Sequence, residues 1–190
     1  MKSLQQHISE KLIVNKKYDS YKYHPKTPEE LRKIIKERYE ELGPGTKNEP
    51  IDFNDIDVSQ MITFYDTKNQ VGIFEKTKFE YIDISDWNVS NVIDMNSTFW
   101  GCQLKELDLS NWNVSNVIIM TSMFDGSRSL KKLEISNWDI LNTKYMSYMF
   151  HYCKSLKELD LSNWDISNVE NMFRMFAGCK KEIIPDWYKE

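Results

Sequence analysis

The chain has 190 residues, of which 41% are hydrophobic and 13% aromatic, which is enough to bury the core of one elongated domain. Its net charge of −4 is uneven, because residues 1–50 carry a net +3 and residues 51–190 a net −7. This acidic balance argues against nucleic acid as the main partner, since phosphate contacts need a dense basic surface. No stretch approaches about 18 apolar residues, and residues 1–10 lack the apolar core of a secretory signal, so we expect a cytoplasmic protein without a membrane span.

Residues 1–50 lack any repeat and are predicted to form a helical segment that caps the rest. Ser3 and Gln6 suit the start of a short first helix. A second helix is predicted from Thr27, an N-cap candidate followed by Pro28, to the glycines of residues 43–45. A 3.6-residue period places these apolar side chains on one face of it: Leu31, Ile34, Ile35, Tyr39 and Leu42. We expect that face to cover the open apolar end of the coil that begins at residue 51.

Residues 51–78 are predicted to form a degenerate first coil of a repeat array that spans residues 51–190. Residues 51–61 align with residues 82–92, and Ile56 stands where the later copy has Trp87. The two segments lie 31 residues apart, so about five extra residues should bulge between residues 65 and 78, with a bend at Gly72. Terminal repeats are commonly atypical because one of their faces meets solvent.

A unit of about 26 residues then recurs at residues 79–103, 104–129, 130–155 and 156–181. Four tryptophans set its register, with spacings of 25, 26 and 26 residues: Trp87, Trp112, Trp138 and Trp164. Apolar residues fall at positions one, four, six, nine and eleven of the unit. Positions four to six alternate between apolar and polar, which predicts a short strand with one buried face. Adjacent units would pair these strands in parallel, about 4.8 Å apart, in one sheet along a right-handed, leucine-rich-repeat-like α/β solenoid.

The second half of each unit is predicted to return through a short helical turn. Methionine and phenylalanine recur there four residues apart: Met95, Met120, Met146 and Met172, then Phe99, Phe124, Phe150 and Phe176. A stripe that recurs in every unit is better explained as core than as a ligand pocket. Burying each side chain is worth roughly 1.5 to 3 kcal/mol, so stacking between neighbours supplies the stability. Residues 182–190 are predicted to form the C-terminal cap, in which residues 183–187 begin another strand. Pro185 has no backbone N–H, so this last strand is a poor template for pairing with a further strand.

The repeat resembles the mycoplasma-type unit of about 25 residues found in BspA-like leucine-rich-repeat proteins. The resemblance is carried by residues 159–179, with near copies that begin at Ile82, Leu107 and Leu133. Residues 139–144, and Ser127 where the other units have cysteine, depart from the pattern. Members of that family are regarded as surface or interaction proteins without a catalytic role, so the resemblance implies binding and supplies no active-site residues.

Three cysteines, Cys102, Cys153 and Cys179, occupy one position of the repeat. We favour buried reduced thiols over a disulfide between Cys153 and Cys179, because the position recurs for packing and Ser127 replaces it once. A zinc site is disfavoured further, since the chain contains no C-x-x-C and its three histidines are scattered. No cofactor is expected.

The outward position five of the strands carries an acidic column, which is the main candidate binding surface: Asp52, Asp83, Asp108, Glu134 and Asp160. Like charges stacked in this way destabilise a sheet, so either a basic partner or solubility accounts for them. Calcium is a third option, but the chain lacks the loops dense in glycine and aspartate that calcium-binding solenoids use.

Two further sets of residues stand out. A column of asparagines is expected to form an internal amide ladder that satisfies backbone groups: Asn91, Asn116, Asn142 and Asn168. Aromatic residues that no column explains are candidate contacts for a partner: Tyr18, Tyr21, Tyr23, Trp100 and Tyr152. The first three of these could equally pack the cap.

Catalysis is not expected. One repeated environment cannot push two carboxylate pKa values apart, and no third residue orients His151 beside Cys153. We therefore expect a non-catalytic module that binds another protein, with the oligomeric state left open. The alternative is a structural or packaged component, because residues 1–15 loosely resemble the helical leaders that direct proteins into tailed-phage heads, which would place the protein in a virion.

Overall fold

The computed structural model describes residues 20–189, so the short helix and leader predicted within residues 1–15 lie outside the described part. The second predicted helix is present as α1 (Pro28–Leu42), and the Thr27 hydroxyl accepts a hydrogen bond from the Glu30 N–H at 3.2 Å. Leu31 and Ile35 are buried, but Leu42 is 55% exposed, so the apolar face ends earlier than the sequence predicts. Within residues 20–189, no helix has the length and apolar character needed to cross a membrane.

Helix α1 lies against the first coil. The Arg38 guanidinium donates to both carboxylate oxygens of Asp55, at 2.7 and 2.9 Å, and lies 5.0 Å from the Phe53 ring. The ring of Tyr39 meets the ring of Phe79 edge-on at 5.0 Å. An ion pair with two parallel hydrogen bonds fixes orientation as well as distance, so α1 is held on this end of the repeats in one orientation.

Short strands mark the first half of the first coil and of the next three units, and two more lie in the second half of the first coil. They are β1 (Ile51–Asp52), β2 (Tyr65–Asp66), β3 (Val71–Gly72), β4 (Ile82–Asp83), β5 (Glu106–Asp108) and β6 (Lys132–Glu134). Strand β1 pairs in parallel with β4, β5 pairs in parallel with β6, and a bridge from Lys132 to Glu158 reaches the last repeat. Across residues 20–189, one backbone hydrogen bond links the β4 and β5 segments, from Lys105 N–H to the Glu80 carbonyl at 3.0 Å. The structure thus has two parallel pairs of strands where the sequence predicts one continuous sheet. The leucine-rich-repeat-like solenoid stays a prediction.

The return half of each repeat consists of consecutive tight turns, so the prediction of helical turns is wrong. The Thr98 N–H donates to the Met95 carbonyl at 3.3 Å, and Ser97 between them has a φ of +52°. A right-handed helix needs negative φ at every residue. The same left-handed residue recurs in the next three repeats: Ser122, Tyr148 and Arg174. Met95 and Phe99 are nevertheless buried, so the spacing predicts the inward side chains correctly and the backbone wrongly.

Every second N–H of a return half donates to the following repeat. From repeat 79–103 these bonds are Met95 to the Ile119 carbonyl at 2.8 Å, Ser97 to Thr121 at 3.0 Å, Phe99 to Met123 at 2.8 Å and Gly101 to Asp125 at 2.7 Å. Parallel bridges in the same half connect Thr63, Asp94, Ile119, Tyr145 and Asn171 in turn. Neighbouring repeats are therefore bonded along both halves, which is how stacked repeats gain stability.

The extra residues of the first coil form a hairpin, since β2 and β3 pair antiparallel. Gly72 lies within β3, and its backbone does not make the predicted bend. A Cβ at Gly72 would lie 2.0 Å from the Ser97 carbonyl oxygen. Close approach of the hairpin to the next repeat therefore requires glycine at this position.

The core is a set of stacked columns. Successive phenylalanine rings lie parallel at 5.3 Å between Phe99 and Phe124 and at 5.7 Å between Phe124 and Phe150. Nε1 of Trp87, Trp112 and Trp138 donates to a carbonyl of the preceding unit, as Trp112 does to Ile84 at 3.0 Å. Nε1 of Trp164 is buried without a hydrogen-bond partner among residues 20–189. Each ring thus contributes apolar burial, and three of the four tryptophans add a bond that fixes the register between repeats.

The strand predicted at residues 183–187 does not form. A short 3₁₀ helix, Lys181–Ile183, takes its place at the start. Trp187 and Tyr188 then pack edge-on against Phe176, with ring centroids 6.4 and 5.1 Å away. The last repeat is covered here by aromatic side chains because Pro185 lacks an N–H for strand pairing.

Candidate interaction surfaces

The structure pairs members of the acidic column across neighbouring strands. Asp52 pairs in register with Asp83, and Asp108 pairs with Glu134. Asp52, Asp108 and Asp160 are exposed, and Asp83 and Glu134 are half-buried. Carboxylates therefore lie side by side within each parallel strand pair, at the same position of successive units.

The aspartates of this column also close local turns. Oδ1 of Asp108 accepts the Ser110 N–H at 2.9 Å, and Oδ1 of Asp160 accepts the Ser162 N–H at 2.9 Å. Burial raises the pKa of Asp83, but hydrogen bonds from the N–H and hydroxyl of Ser85 outweigh it and hold the pKa below its ordinary value. Such turns need an acceptor oxygen at this position but not a negative charge.

The neighbouring column, at position three, carries both signs of charge. The Lys47 amine contacts Glu106 at 2.6 Å, and the Lys132 amine contacts Glu134 at 2.8 Å and Glu158 at 3.8 Å. Within residues 20–189, the four aspartates of the acidic column form no ion pair with lysine or arginine. Negative charge on this face is thus concentrated at position five.

The predicted aromatic contacts divide into three groups. Tyr18 lies outside the described residues. Tyr21 meets His24 edge-on at 6.2 Å, and Tyr23 packs against the core and bridges to Ile56. Trp100 is half-buried under the Lys76 amine, 4.1 Å from its ring. Tyr152 is 41% exposed and remains the clearest candidate of the set.

The asparagine column bonds repeats to one another, but it is exposed where the sequence predicts an internal ladder. Each side-chain amide donates to a carbonyl of the preceding unit: Asn91 to Ser59 at 2.7 Å, Asn116 to Ser90 at 2.8 Å, Asn142 to Ser115 at 2.7 Å and Asn168 to Leu141 at 2.9 Å. Solvent-exposed isoleucines stand two residues after Asn91 and Asn116, and at the equivalent position of the first coil: Ile93 (45%), Ile118 (37%) and Ile62 (62%). Their recurrence at one repeat position is a signal that the sequence analysis missed.

A second missed feature is a basic corner where each return half meets the next strand. It consists of five exposed cations: Arg128, Lys131, Lys154, Lys157 and Lys180. Arg128, Lys154 and Lys180 are 26 residues apart, as are Lys131 and Lys157. Reading the charged residues by repeat position would have found this corner.

The three cysteines are free, and Cys153 and Cys179 donate hydrogen bonds to the backbone. The Cys153 sulfur donates to the Phe124 carbonyl at 3.1 Å, and the Cys179 sulfur donates to the Phe150 carbonyl at 2.9 Å. At the equivalent position, the Ser127 hydroxyl donates to the Phe99 carbonyl at 2.7 Å. The position therefore recurs because it needs a small donor.

Groups suited to metal or acid–base chemistry do not converge in the described part. Within residues 20–189, no three His, Cys, Asp or Glu side chains lie close enough together to hold a metal ion. His151 bonds through Nδ1 to Asp125 at 2.9 Å, while Cys153 is buried and bonded elsewhere. The two residues therefore have separate partners.

Stacked units with recurring columns define a repeat protein. The chain belongs to the family described as Mycoplasma protein of unknown function, DUF285, which matches residues 68–187. The mycoplasma-type repeat predicted from the sequence is thereby confirmed. No curated protein and no solved structure matches the chain.

Proposed function

We propose that this protein is a non-catalytic interaction module, built as a right-handed BspA-like leucine-rich-repeat solenoid, whose acidic column binds a basic surface of another protein. The proposal rests on one comparison within the chain. A second turn position in each repeat uses the same kind of bond and tolerates either acceptor, with Asn113 bonding the Ser115 N–H and Asp165 bonding the Ser167 N–H. The acidic column carries a charge in every unit.

Glu134 strengthens this comparison. Its longer side chain does not close the turn that the aspartates of the column close, and it bonds Lys132 instead. Position five therefore keeps a carboxylate even where the side chain makes no bond to the turn. Local structure alone explains an acceptor at this position and leaves the charge unexplained.

The expected interaction is electrostatic. Carboxylates stacked about 4.8 Å apart reinforce one another's potential, which raises the association rate of a basic partner more than it lengthens the life of the complex. Exposed charges are screened over about 8 Å at physiological salt, so binding should weaken as salt rises.

The test replaces Asp83, Asp108 and Asp160 by Asn, which keeps the turn acceptors and removes three charges. The control replaces Asp139 and Asp165 by Asn, which removes two charges from exposed turn acceptors outside the column. Tagged wild type and both variants, each shown to be folded, capture partners from source-cell lysate for identification by mass spectrometry.

We expect wild type and the control to retain a basic protein that the column variant loses. The association rate of that purified partner should also fall for the column variant, and its salt dependence should flatten. If all three proteins capture the same partners at the same rates, the column is a solvated face and the proposal fails.

A further inference from the structure

Among residues 20–189, the basic corner gathers unpaired cations at recurring positions of successive repeats. Lys47, Lys105, Lys132 and Lys144 each contact a glutamate. Within residues 20–189, by contrast, none of the five cations of the basic corner forms an ion pair. An array of like charges without counter-charges is unfavourable in isolation, so it suits an anionic partner.

The corner is continuous across three repeats. The Lys131 N–H donates to the Lys105 carbonyl at 2.7 Å, and the Lys157 N–H donates to the Lys131 carbonyl at 3.0 Å, so these residues occupy adjacent rungs. Arg128 and Lys154, from successive repeats, flank one ring, that of Tyr152, at 5.8 and 5.2 Å from its centroid. The charges and the ring therefore form one surface.

Tyr152 provides a second, independent observation. Its φ is +55°, in the left-handed region, and the corresponding residue of each other full repeat is glycine: Gly101, Gly126 and Gly178. A side chain in that conformation costs about 1 to 2 kcal/mol, and the ring is 41% exposed, so burial recovers only part of that cost. Strain retained at an exposed aromatic residue points to a function for the ring.

We propose that the basic corner binds an acidic, extended segment of a partner protein, with Tyr152 as its central contact. Rungs about 4.8 Å apart give a footprint of roughly 10 Å over three repeats, which is three or four residues of extended chain. A long polyanion such as nucleic acid fits poorly, since residues 51–190 carry a net −7 and the acidic column lies on the same repeats. A short acidic segment meets the cations without reaching those carboxylates.

The probe is a fluorescein-labelled peptide of about twelve residues in which Glu and Ser alternate. A second peptide with Gln in place of Glu serves as the uncharged control. Fluorescence anisotropy with the full chain should show binding of the acidic peptide alone, with affinity falling as salt rises. Failure of wild type to bind the acidic peptide more tightly than the Gln peptide would overturn the proposal.

Two variants locate the site. Arg128→Gln, Lys154→Gln and Lys180→Gln together should weaken binding about tenfold or more. The control, Lys26→Gln, Lys68→Gln and Lys78→Gln, removes the same charge from exposed lysines elsewhere and should change affinity less than about twofold. Equal weakening by both sets contradicts the assignment.

Tyr152→Gly separates the ring from the charges. Glycine suits the backbone at this position, so the variant should stay folded and yet bind the acidic peptide about tenfold more weakly. Unchanged affinity would remove Tyr152 from the site and overturn the proposal as stated.

Two other possible occupants of the basic corner are tested with the same proteins. Tighter binding of a single-stranded DNA of similar length than of the acidic peptide would assign the corner to nucleic acid. Sedimentation equilibrium that shows wild type self-associating, and the triple variant monomeric, would assign it to a second copy of the chain. Either result contradicts the proposal.

Discussion

The ring of Tyr152 lies directly against Gly178 of the following repeat. A Cβ added to Gly178 would meet Cδ1 of the ring at 2.5 Å and Cε1 at 2.8 Å. The equivalent glycine of an earlier repeat, Gly126, has its nearest neighbour, the Gly101 Cα, at 3.8 Å. Both glycines have positive φ, +79° and +69°, so they differ in the space available and not in backbone conformation.

Alanine at Gly178 should therefore cost more stability than alanine at Gly126. Each substitution carries about 1 to 2 kcal/mol of left-handed strain, and Gly178→Ala adds about 1 to 3 kcal/mol for displacing the ring. Urea unfolding monitored by circular dichroism measures both. When Tyr152→Gly is also present, Gly178→Ala and Gly126→Ala should cost about the same stability. Equal costs in the wild-type background would show that the ring moves aside freely.

Asn116 and Asn113 lie three residues apart, and both are exposed, but they bond in opposite senses. The Asn116 amide donates to the Ser90 carbonyl at 2.8 Å, whereas Oδ1 of Asn113 accepts the Ser115 N–H at 3.2 Å. An aspartate can accept but, when ionised, cannot donate. We expect Asn116→Asp to lower the free energy of unfolding by about 1 kcal/mol at pH 7, and Asn113→Asp to change it by less than about 0.5 kcal/mol.

The two variants add the same charge, so their difference isolates the bond between repeats. Below about pH 4, a protonated carboxyl at position 116 can donate again, and the deficit of Asn116→Asp should shrink. Thermal unfolding of both variants at pH 7 and pH 3.5 measures this. Equal destabilisation at pH 7 would mean that the added charge, and not the lost donor, sets the cost.

Asp94 and Asp83 should respond to pH with opposite signs. Burial raises the pKa of Asp94 above its ordinary value of 3.8, against the effect of the Asn96 N–H, so its contribution to stability is present below about pH 4 and is lost as pH rises through the raised pKa. Asp94→Asn should therefore raise the free energy of unfolding at pH 7 and leave it nearly unchanged at pH 3.

For Asp83 the folded pKa is lowered below 3.8, so its contribution is present above about pH 4 and is lost as pH falls through the folded pKa. Asp83→Asn should reduce stability at pH 7, and the difference from wild type should vanish at low pH. Chemical unfolding at several pH values between 3 and 7 measures both variants. Parallel pH profiles for the two variants would contradict the assigned directions.

The period of the repeat and its buried columns could be predicted because they recur. Trp112, Met120 and Phe124 are buried as their spacing indicates, since side-chain periodicity reports burial directly. The return backbone could not be predicted in the same way. Ser97 and Tyr148 have left-handed backbones that their residue types do not indicate, so a helix and a run of turns were equally consistent with the methionine and phenylalanine spacing.

The surfaces were predicted less completely than the core. The acidic column was found because one sign of charge recurs at a strand position whose direction is known. The basic corner lies in the connection between two halves, where the sequence does not fix side-chain direction, and Arg128 and Lys154 were therefore not recognised as neighbours. Ring contacts with Tyr152 show that they share one surface.

The cysteine position offers a test of why serine replaces cysteine once. Ser127 shows that a hydroxyl can make the bond that the Cys153 thiol makes to the preceding repeat. Cys153→Ser should therefore cost less than about 1 kcal/mol, whereas Cys153→Ala loses the bond and the sulfur packing and should cost roughly 1 to 3 kcal/mol. Urea unfolding compares the two, and equal costs would show that the donor is irrelevant there.

Thiol reactivity depends on the same burial. Burial raises the pKa of Cys179 to about 11 and the pKa of Cys153 well above its ordinary value of 9.0. At pH 8 roughly one Cys179 in a thousand is then thiolate, the form that reacts. Iodoacetamide should label the folded protein slowly and reach Cys179 before Cys153, because Cys179 is only half-buried. Peptide mass spectrometry orders the sites, and rapid labelling of Cys153 in folded protein would show that this part of the repeat opens readily.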